Sequence, residues 1–554
     1  MSLPAFSTQA ELFSTAGLSG SLFASTDRYR LFARKVYPVL ARVRAKLEAC
    51  YCADNGRIAV EPVLLLGVSL LQYLEAVPDR QAVDLLHYHA GWNFALNRQV
   101  GDELFHATTL VHFRQRLLDH DLSTIGFAMV LEALIEAGLV ARQSRQRLDS
   151  TQMFGRVSRM SRLDCVRESL RLALQELAQQ VPAEGRPAWW LLLWERYVDS
   201  QADYRAPLET LARKMAEAGT DAQQLLGWLA EPPAQEWARG KQAALLGRVF
   251  SEQFEVLAGA GAPQPKAKEQ TSSARVQNPH EPEATYAAKG KGEQKKEHVG
   301  YKVQVAETVS EAVLAAGEPT RNFISGIVTH AALESDQEGS GKMELEQQAL
   351  GMDKPPVQYV DAAYISAQKL VEAAAQGREL IGPALASPHN NDGRFVPEQF
   401  NIAVEQRKAV CPTGQQNTQC SRLEEQATGK VSYRFEWNSS TCGPCPWRQQ
   451  CIKAEHSHRT LTVGEHHTTL QTRRQEQQTK PFQQRMRHRN AIEGTQSELV
   501  RAHGLRRARY RGLAKAKLQN YFIAAACNIK RWLRRTAWEL QNGFTATLSP
   551  ATAN

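Results

Sequence analysis

Residues 357–382, VQYVDAAYISAQKLVEAAAQGRELIG, decide the fold class. VQYVD is a short β-branched and aromatic run that closes on an acid. ISAQKLVEAAAQG is helix-forming, and RELIG returns to a strand. Strand, helix and strand in that order predict an α/β sheet. Upstream, VGYKVQVAE (299–307) alternates Tyr301, Val303 and Val305 on one face, and FISGIVTH (323–330) adds another strand. RQRLDSTQMFG (145–155) interrupts a helical pattern and reads as the first strand of the same sheet.

Around this core the chain divides by composition. Residues 1–140 read as an all-helical region, with Phe32, Val36, Leu40, Val43 and Leu47 at helical spacing and TTLVHFRQRLLDHDL opened by a Thr108/Thr109 cap. His112, Arg114 and Arg116 on that last helix would suit a helix-turn-helix contact with DNA, and a plain helical bundle fits the pattern equally. Residues 141–155 hold the first core strand and 156–258 a helical insertion. Residues 259–297, rich in Pro, Gly, Ala and Lys, read as a flexible linker. Then come the rest of the core (298–399), a cysteine-bearing insertion (400–465), basic helices (466–540) and a tail (541–554). A chain of 554 residues needs more than one core, since single cores stop growing near about 250–300 residues.

Hydrophobic residues make up 43% and charged residues 23% of the chain. No apolar run approaches the ~18 residues of a membrane span, and MSLPAFSTQAELF lacks a basic start followed by an apolar block. The expectation is a protein that meets no membrane and works in the cytoplasm. The net charge is +9, yet between Arg473 and Arg535 alone there are 17 Lys and Arg against 3 Asp and Glu. Such clustering is the electrostatic footprint of a polyanion, usually nucleic acid.

Three acids stand where phosphodiester chemistry would want them. Asp149 lies in the first strand as RLDST, Asp361 closes VQYVD, and Glu493 lies on the helix of RHRNAIEGTQSELVRAHGL, sharing a face with Arg489 four residues earlier. Mg²⁺ prefers hard oxygen ligands, and two ions ~3.5–4 Å apart can activate an attacking oxygen and stabilise a leaving one. Any one of these acids alone would be an ordinary surface charge; the ordered triple is the signal.

The layout resembles the RNase H-like catalytic domain of DDE transposases from bacterial insertion sequences. RLDSTQ, YVDAAYIS and RNAIEGTQSELVRAHGLRRARYRGLAK carry the resemblance, and TTLVHFRQRLL resembles the end of their helical N-terminal domain. The resemblance implies an RNase H-like mixed-sheet core with Asp149, Asp361 and Glu493 as ligands of two Mg²⁺ (or Mn²⁺) ions; the long gaps between these acids mean that the core is interrupted, by the helical insertion and by the cysteine-bearing one, which resembles a zinc-ribbon-like module. The resemblance also implies strand cleavage at element ends and strand transfer into target DNA, with double-stranded DNA as partner and at least a homodimer to pair two ends. Many relatives carry Y-x2-R-x3-E-x6-K on the last helix. Here Arg489 and Glu493 fit, Met486 takes the Tyr place, and Val500 takes the Lys place with Arg501 beside it. Arg489, Arg501, Arg506, Arg507, Arg509, Arg511 and Lys515 are the candidate DNA contacts. A nuclease without transposition, or a DNA-binding descendant without catalysis, would share much of this pattern.

Nine cysteines include five between Cys411 and Cys451. Cys442 and Cys445 form a C-x2-C knuckle, and Cys451 with Cys411 would complete a Cys₄ zinc tetrahedron. Cys420 could replace Cys411, and His456 or His458 could supply the fourth ligand. Free buried thiols are the bland alternative.

Overall fold

The computed structural model describes residues 2–3 and 15–543, apart from 53–54, 99–101, 201–206, 233, 257–260, 291, 387–392 and 454. Most of the expected tail thus lies outside the described residues. A six-stranded mixed sheet forms the centre, from β1 (Gln146–Phe154), β2 (Thr285–Lys289), β3 (Lys296–Thr308), β4 (Ile324–Ala331), β5 (Val357–Tyr359) and β6 (Glu379–Ile381). The long β3 runs antiparallel to β1, and also pairs antiparallel with β2 near its start and with β4 further on. β1 is parallel to β5, and β5 is parallel to β6. An antiparallel half therefore meets a parallel half at β1.

The longer helices, in chain order, include α1 (Pro62–Leu74), α2 (Thr108–Asp119), α3 (Ile125–Glu136), α4 (Arg162–Gln180), α5 (Leu208–Ala230) and α6 (Lys241–Gln253) before β2. They continue with α7 (Asp336–Ala349), α8 (Ala367–Ala375), α9 (His467–Glu476), α10 (Lys480–Asn490), α11 (Ile492–His503) and α12 (Leu513–Gln541). Strand alternation sends Leu148, Ala306 and Val328 to one face, where Met343, Val360 and Leu370 cover them. Met153, Tyr301, Val303 and Val305 face the other way, into the largest core.

That core encloses a helix more completely than its sequence pattern suggests. Leu518, Phe522, Ala525, Ile529 and Trp532 predict a one-sided apolar helix, but every residue from Leu518 to Ile529 is buried. α12 lies between the sheet and the N-terminal helices. Tyr73 of α1 stacks on Phe522 at 5.5 Å, and Phe127 of α3 on Tyr521 at 6.4 Å. On the sheet side, the Asn528 side chain accepts from Ile324 N (2.8 Å) and donates to Ile324 O (2.9 Å), satisfying the backbone of β4. The helices before residue 140 therefore share one apolar core with the sheet and α12, rather than forming a unit apart. Each fully buried Leu, Ile or Phe there contributes about 1.5–3 kcal/mol of transfer free energy.

Two further expectations need correction. The supposed linker at 259–297 is packed in its middle, around residues 276–285, where buried Glu281 gathers donors from three directions, while most of the described residues on either side are exposed. Glu281 accepts from Arg156 N at 2.7 Å, Tyr301 Oη at 2.8 Å and Gly512 N at 3.4 Å. A polar, Gly-rich stretch can thus be ordered by hydrogen bonds instead of apolar burial. Second, Arg114 is not poised for DNA. It is buried, donates to Asp79, and lies 4.9 Å from the centre of the Tyr510 ring.

The helical insertion has its own core, in which Trp190 is buried and Trp228 stacks on Trp237 at 5.8 Å. The cysteine-bearing insertion contains two small sheets. β7 (Asn401–Ala403) pairs with β8 (Lys408–Val410), and β9 (Gln419–Glu424), β10 (Val431–Glu436) and β11 (Thr460–Gly464) form a meander. Among the described residues no helix is long and apolar enough to cross a membrane.

Candidate active site

The parallel pairing of β1 with β5 sets Arg147 opposite Tyr359. Two residues further along each strand direction stand Asp149, within β1, and Asp361, just past the end of β5, so neighbouring strands ~4.8 Å apart deliver two carboxylates. Glu493 comes from the first turn of α11. One guanidinium meets all three. Arg489 Nη2 is 3.0 Å from Asp149 Oδ2 and 3.5 Å from Asp361 Oδ2, and Nη1 is 3.3 Å from Glu493 Oε1.

Exposure grades the three acids: the side chains of Asp149, Asp361 and Glu493 are 14%, 53% and 70% exposed. The site is a cleft with Asp149 at its floor and Glu493 at its rim. Burial pushes the Asp149 carboxyl above its ordinary range. Arg489 and the Ser150 amide pull it back, and Asp361 and Asp336 push it up again.

A buried ionic cluster behind the cleft positions the glutamate helix. Glu307 on β3 is fully buried and pairs with Arg147 of β1 and Arg531 of α12 (2.5 Å each), and accepts from Thr495 Oγ1 of α11 at 2.7 Å. Arg147 also donates to His488 O at 3.1 Å, and Gln496 Nε2 to Ser150 O at 3.3 Å. β1, β3, α11 and α12 are thereby locked in one register, since removing one member of such a pair would leave a buried charge costing about 3–5 kcal/mol.

Glu498, the other acid on α11, is committed elsewhere. Burial alone would raise it, but Arg531 and Lys530 hold it down to about 2. Glu493 is the acid of this helix that faces the cleft.

Sequence reading missed Asp336. It accepts from Ser150 Oγ at 2.8 Å and lies 3.3 Å from Lys302 Nζ, beside the cleft. As the first residue of α7, inside a capping box from Ser335 to Glu338, it looks in sequence like any acid at a helix start.

The basic stretch divides in two. Arg473, Arg474, Arg485, Arg531 and Arg535 are held by internal acids. Arg501, Arg506, Arg507, Arg511 and Lys515 are exposed. Arg509 is half-buried and engaged within the protein. Its guanidinium lies 4.6 Å from the Tyr73 ring centre and donates to Val77 O, joining the loop before α12 to α1. Phe154 N donates to Arg506 O at 2.9 Å, and Ala508 N to Phe154 O at 2.9 Å, so this loop extends the strand that carries Asp149. At the two places where the Tyr and Lys of the relatives would stand, Met486 packs against the cluster of Val357, Tyr359 and Ile381, and Val500 packs toward the main core.

In the insertion, Cys411, Cys442, Cys445 and Cys451 line one cavity, and Cys420 does not. Burial pushes the Cys451 thiol up, Arg459 pulls it down, and the thiols of Cys442, Cys411 and Cys445 are near enough to push it up further. His456 and His458 line a neighbouring cavity.

Comparison with protein families finds two matches: residues 410–533 match Transposase DDE domain, and residues 21–116 match Transposase domain (DUF772). The first contains Arg489 and Glu493; both aspartates lie outside the matched segments. Comparison with curated proteins finds no match.

Proposed function

With these two segments the chain is an insertion-sequence transposase of the DDE class, and we propose that it cleaves DNA at element ends and joins the freed 3′-hydroxyl to target DNA at the Asp149, Asp361 and Glu493 cleft. One observation carries the proposal: three carboxylates from three separate elements converge on a single guanidinium. Three like charges brought together this way, with a buried acid pushed upward at the floor, describe a site built to hold more positive charge than Arg489 alone.

The donor set fits a hard divalent cation, because every converging donor is a carboxylate oxygen. Asp149, Asp361 and Glu493 would hold Mg²⁺ or Mn²⁺, two ions in this reading, which supply activation of the attacking oxygen and charge stabilisation of the leaving one. The protein's own part is positional. Glu307, Arg147, Arg531 and Thr495 fix the glutamate helix against β1 and β3, so the carboxylates do not have to be ordered when substrate arrives. Arg489 supplies a donor fork for a phosphate oxygen once its acids are otherwise neutralised. Exposed Arg501, Arg506, Arg507, Arg511 and Lys515 would meet the DNA backbone. The mixed sheet, antiparallel on one side of β1 and parallel on the other, supports an RNase H-like core. Double-stranded DNA with terminal inverted repeats would be the substrate, held by at least a homodimer in the cytoplasm beside the nucleoid.

The test is nicking and joining of DNA carrying the element ends. Purified protein should nick a supercoiled plasmid with Mg²⁺ and not with EDTA. Asp149→Asn, Asp361→Asn and Glu493→Gln should each abolish nicking while retaining DNA binding. Full cleavage by Glu493→Gln would refute the assignment, and nicking without joining at specific ends would favour a plain nuclease.

A further inference from the structure

The cysteine-bearing insertion is left unexplained by DNA cleavage. Its apolar core consists of ten buried residues, among them Phe400, Phe435 and Trp437, spread over two small sheets. A core of that size rarely holds a module together unaided, and small modules commonly add a metal or disulfides. No disulfide is present, since all nine cysteines are free.

Four thiols from separate turns nonetheless converge. Cys411 follows β8 directly, Cys442 ends a short helix, Cys445 lies in the next turn, and Cys451 ends a second short helix. All four line a cavity of about 30 Å³, enough for a water-sized or smaller occupant. Arg448 and Arg459 line it too, and would offset the net negative charge of a four-thiolate ion. We infer that Cys411, Cys442, Cys445 and Cys451 form a structural zinc site that holds the insertion together. Each thiol releases its proton to solvent as its sulfur binds, and four thiolates complete a closed tetrahedral shell with no open position for chemistry.

The sulfurs stand more loosely than the bound tetrahedron, in which sulfurs ~2.3 Å from zinc would be about 3.8 Å apart. No three of them lie within 4.8 Å of one another. The group of donors that does lie that close, Glu498, His503 and Cys527, is a poorer candidate. Its carboxylate is taken by Lys530 at 2.9 Å and Arg531 at 3.0 Å, two cations that would repel a third.

A position in the chain gives the site a consequence. The segment leading into the insertion is tied to α9 by the Arg474–Glu398 ion pair and by Gln471 Nε2 donating to Pro397 O at 3.3 Å, and to the insertion by Arg459 Nη2 donating to Phe395 O at 2.9 Å. α9 leads through α10 to Arg489 and Glu493. A rigid insertion thus steadies the approach to the glutamate helix.

The experiment uses the full-length protein purified without chelators. Elemental analysis should find one zinc per chain. Replacement by Co²⁺ should give the thiolate charge-transfer and intense tetrahedral d–d absorption of a four-sulfur site. Differential alkylation read by mass spectrometry should find Cys411, Cys442, Cys445 and Cys451 protected until a chelator is added, with Cys420 reactive throughout. Cys420→Ser should keep the metal and Cys442→Ser should lose it. Alkylation is done on the unaltered chain, so it decides the matter even if Cys442→Ser fails to fold. Absence of zinc with all four thiols reacting freely would overturn the inference. Equal loss from Cys420→Ser would overturn the ligand set, and iron in place of zinc would overturn the choice of ion.

Discussion

Replacing Arg489 by Gln should tighten divalent-ion binding even as it weakens cleavage. In the structure its guanidinium is the counter-ion of all three acids, at 3.0, 3.5 and 3.3 Å. Unit charges ~4 Å apart attract by about 1 kcal/mol in water and about 4 kcal/mol at an effective dielectric of ~20. The Asp149 pair, with side chains 15% and 14% exposed, falls between those limits at roughly 2 kcal/mol. The Asp361 and Glu493 pairs, with acids 53% and 70% exposed, each contribute under about 1 kcal/mol. A divalent ion must therefore offset about 2–3 kcal/mol in the native protein and not in the variant. At ~1.4 kcal/mol per decade the ceiling is roughly 30–100-fold, and because the ion need not displace Arg489 from every acid the expected gain is about tenfold. Free Mn²⁺ measured by electron paramagnetic resonance during titration of metal-free protein gives the affinity directly. Arg489→Lys, which keeps the charge, should show a smaller gain. Cleavage by Arg489→Gln should fall because its fork for phosphate is gone. Mn²⁺ affinity unchanged or weakened in a folded Arg489→Gln protein would show that the guanidinium does not compete for the ion site.

Two other outcomes follow from the same structure. Neutralising Arg506, Arg507 and Arg511 together should flatten the dependence of log affinity for DNA on log salt by about one unit for each phosphate no longer neutralised, whereas Arg509→Ala should act on stability, measured by urea titration, through Tyr73 and Val77. Glu498 is held at about 2 against an ordinary 4.5, a lowered value whose stabilisation is present above the ordinary value and lost as pH falls through that window. Hydrogen exchange at α11 and α12 should accelerate between those pH values, and Glu498→Gln should remove most of that pH dependence.

Sequence alone was enough for the α/β class, because period-two alternation in 299–307 and the strand-helix-strand order of 357–382 are local properties that packing did not override. It was also enough to nominate Asp149, Asp361, Glu493 and the four cavity cysteines, since residue types and order are visible without coordinates. Tertiary structure decided matters of partnership. The same local pattern serves an exposed arginine and one like Arg114 or Arg509 that is engaged by a half-buried acid, a ring or a carbonyl. An apolar stripe shows one face of α12 as buried, but small residues such as Ala524 and Ala526 read as neutral, so its full enclosure by sheet and helices leaves no periodic trace. The packing around residues 276–285 depends on Glu281 finding donors 125 positions earlier and 231 later, and Arg489 unites acids from strands that meet only in the folded sheet. Such pairings join groups far apart in the chain, so no window of sequence contains both partners; chain folding alone brings them within hydrogen-bond range.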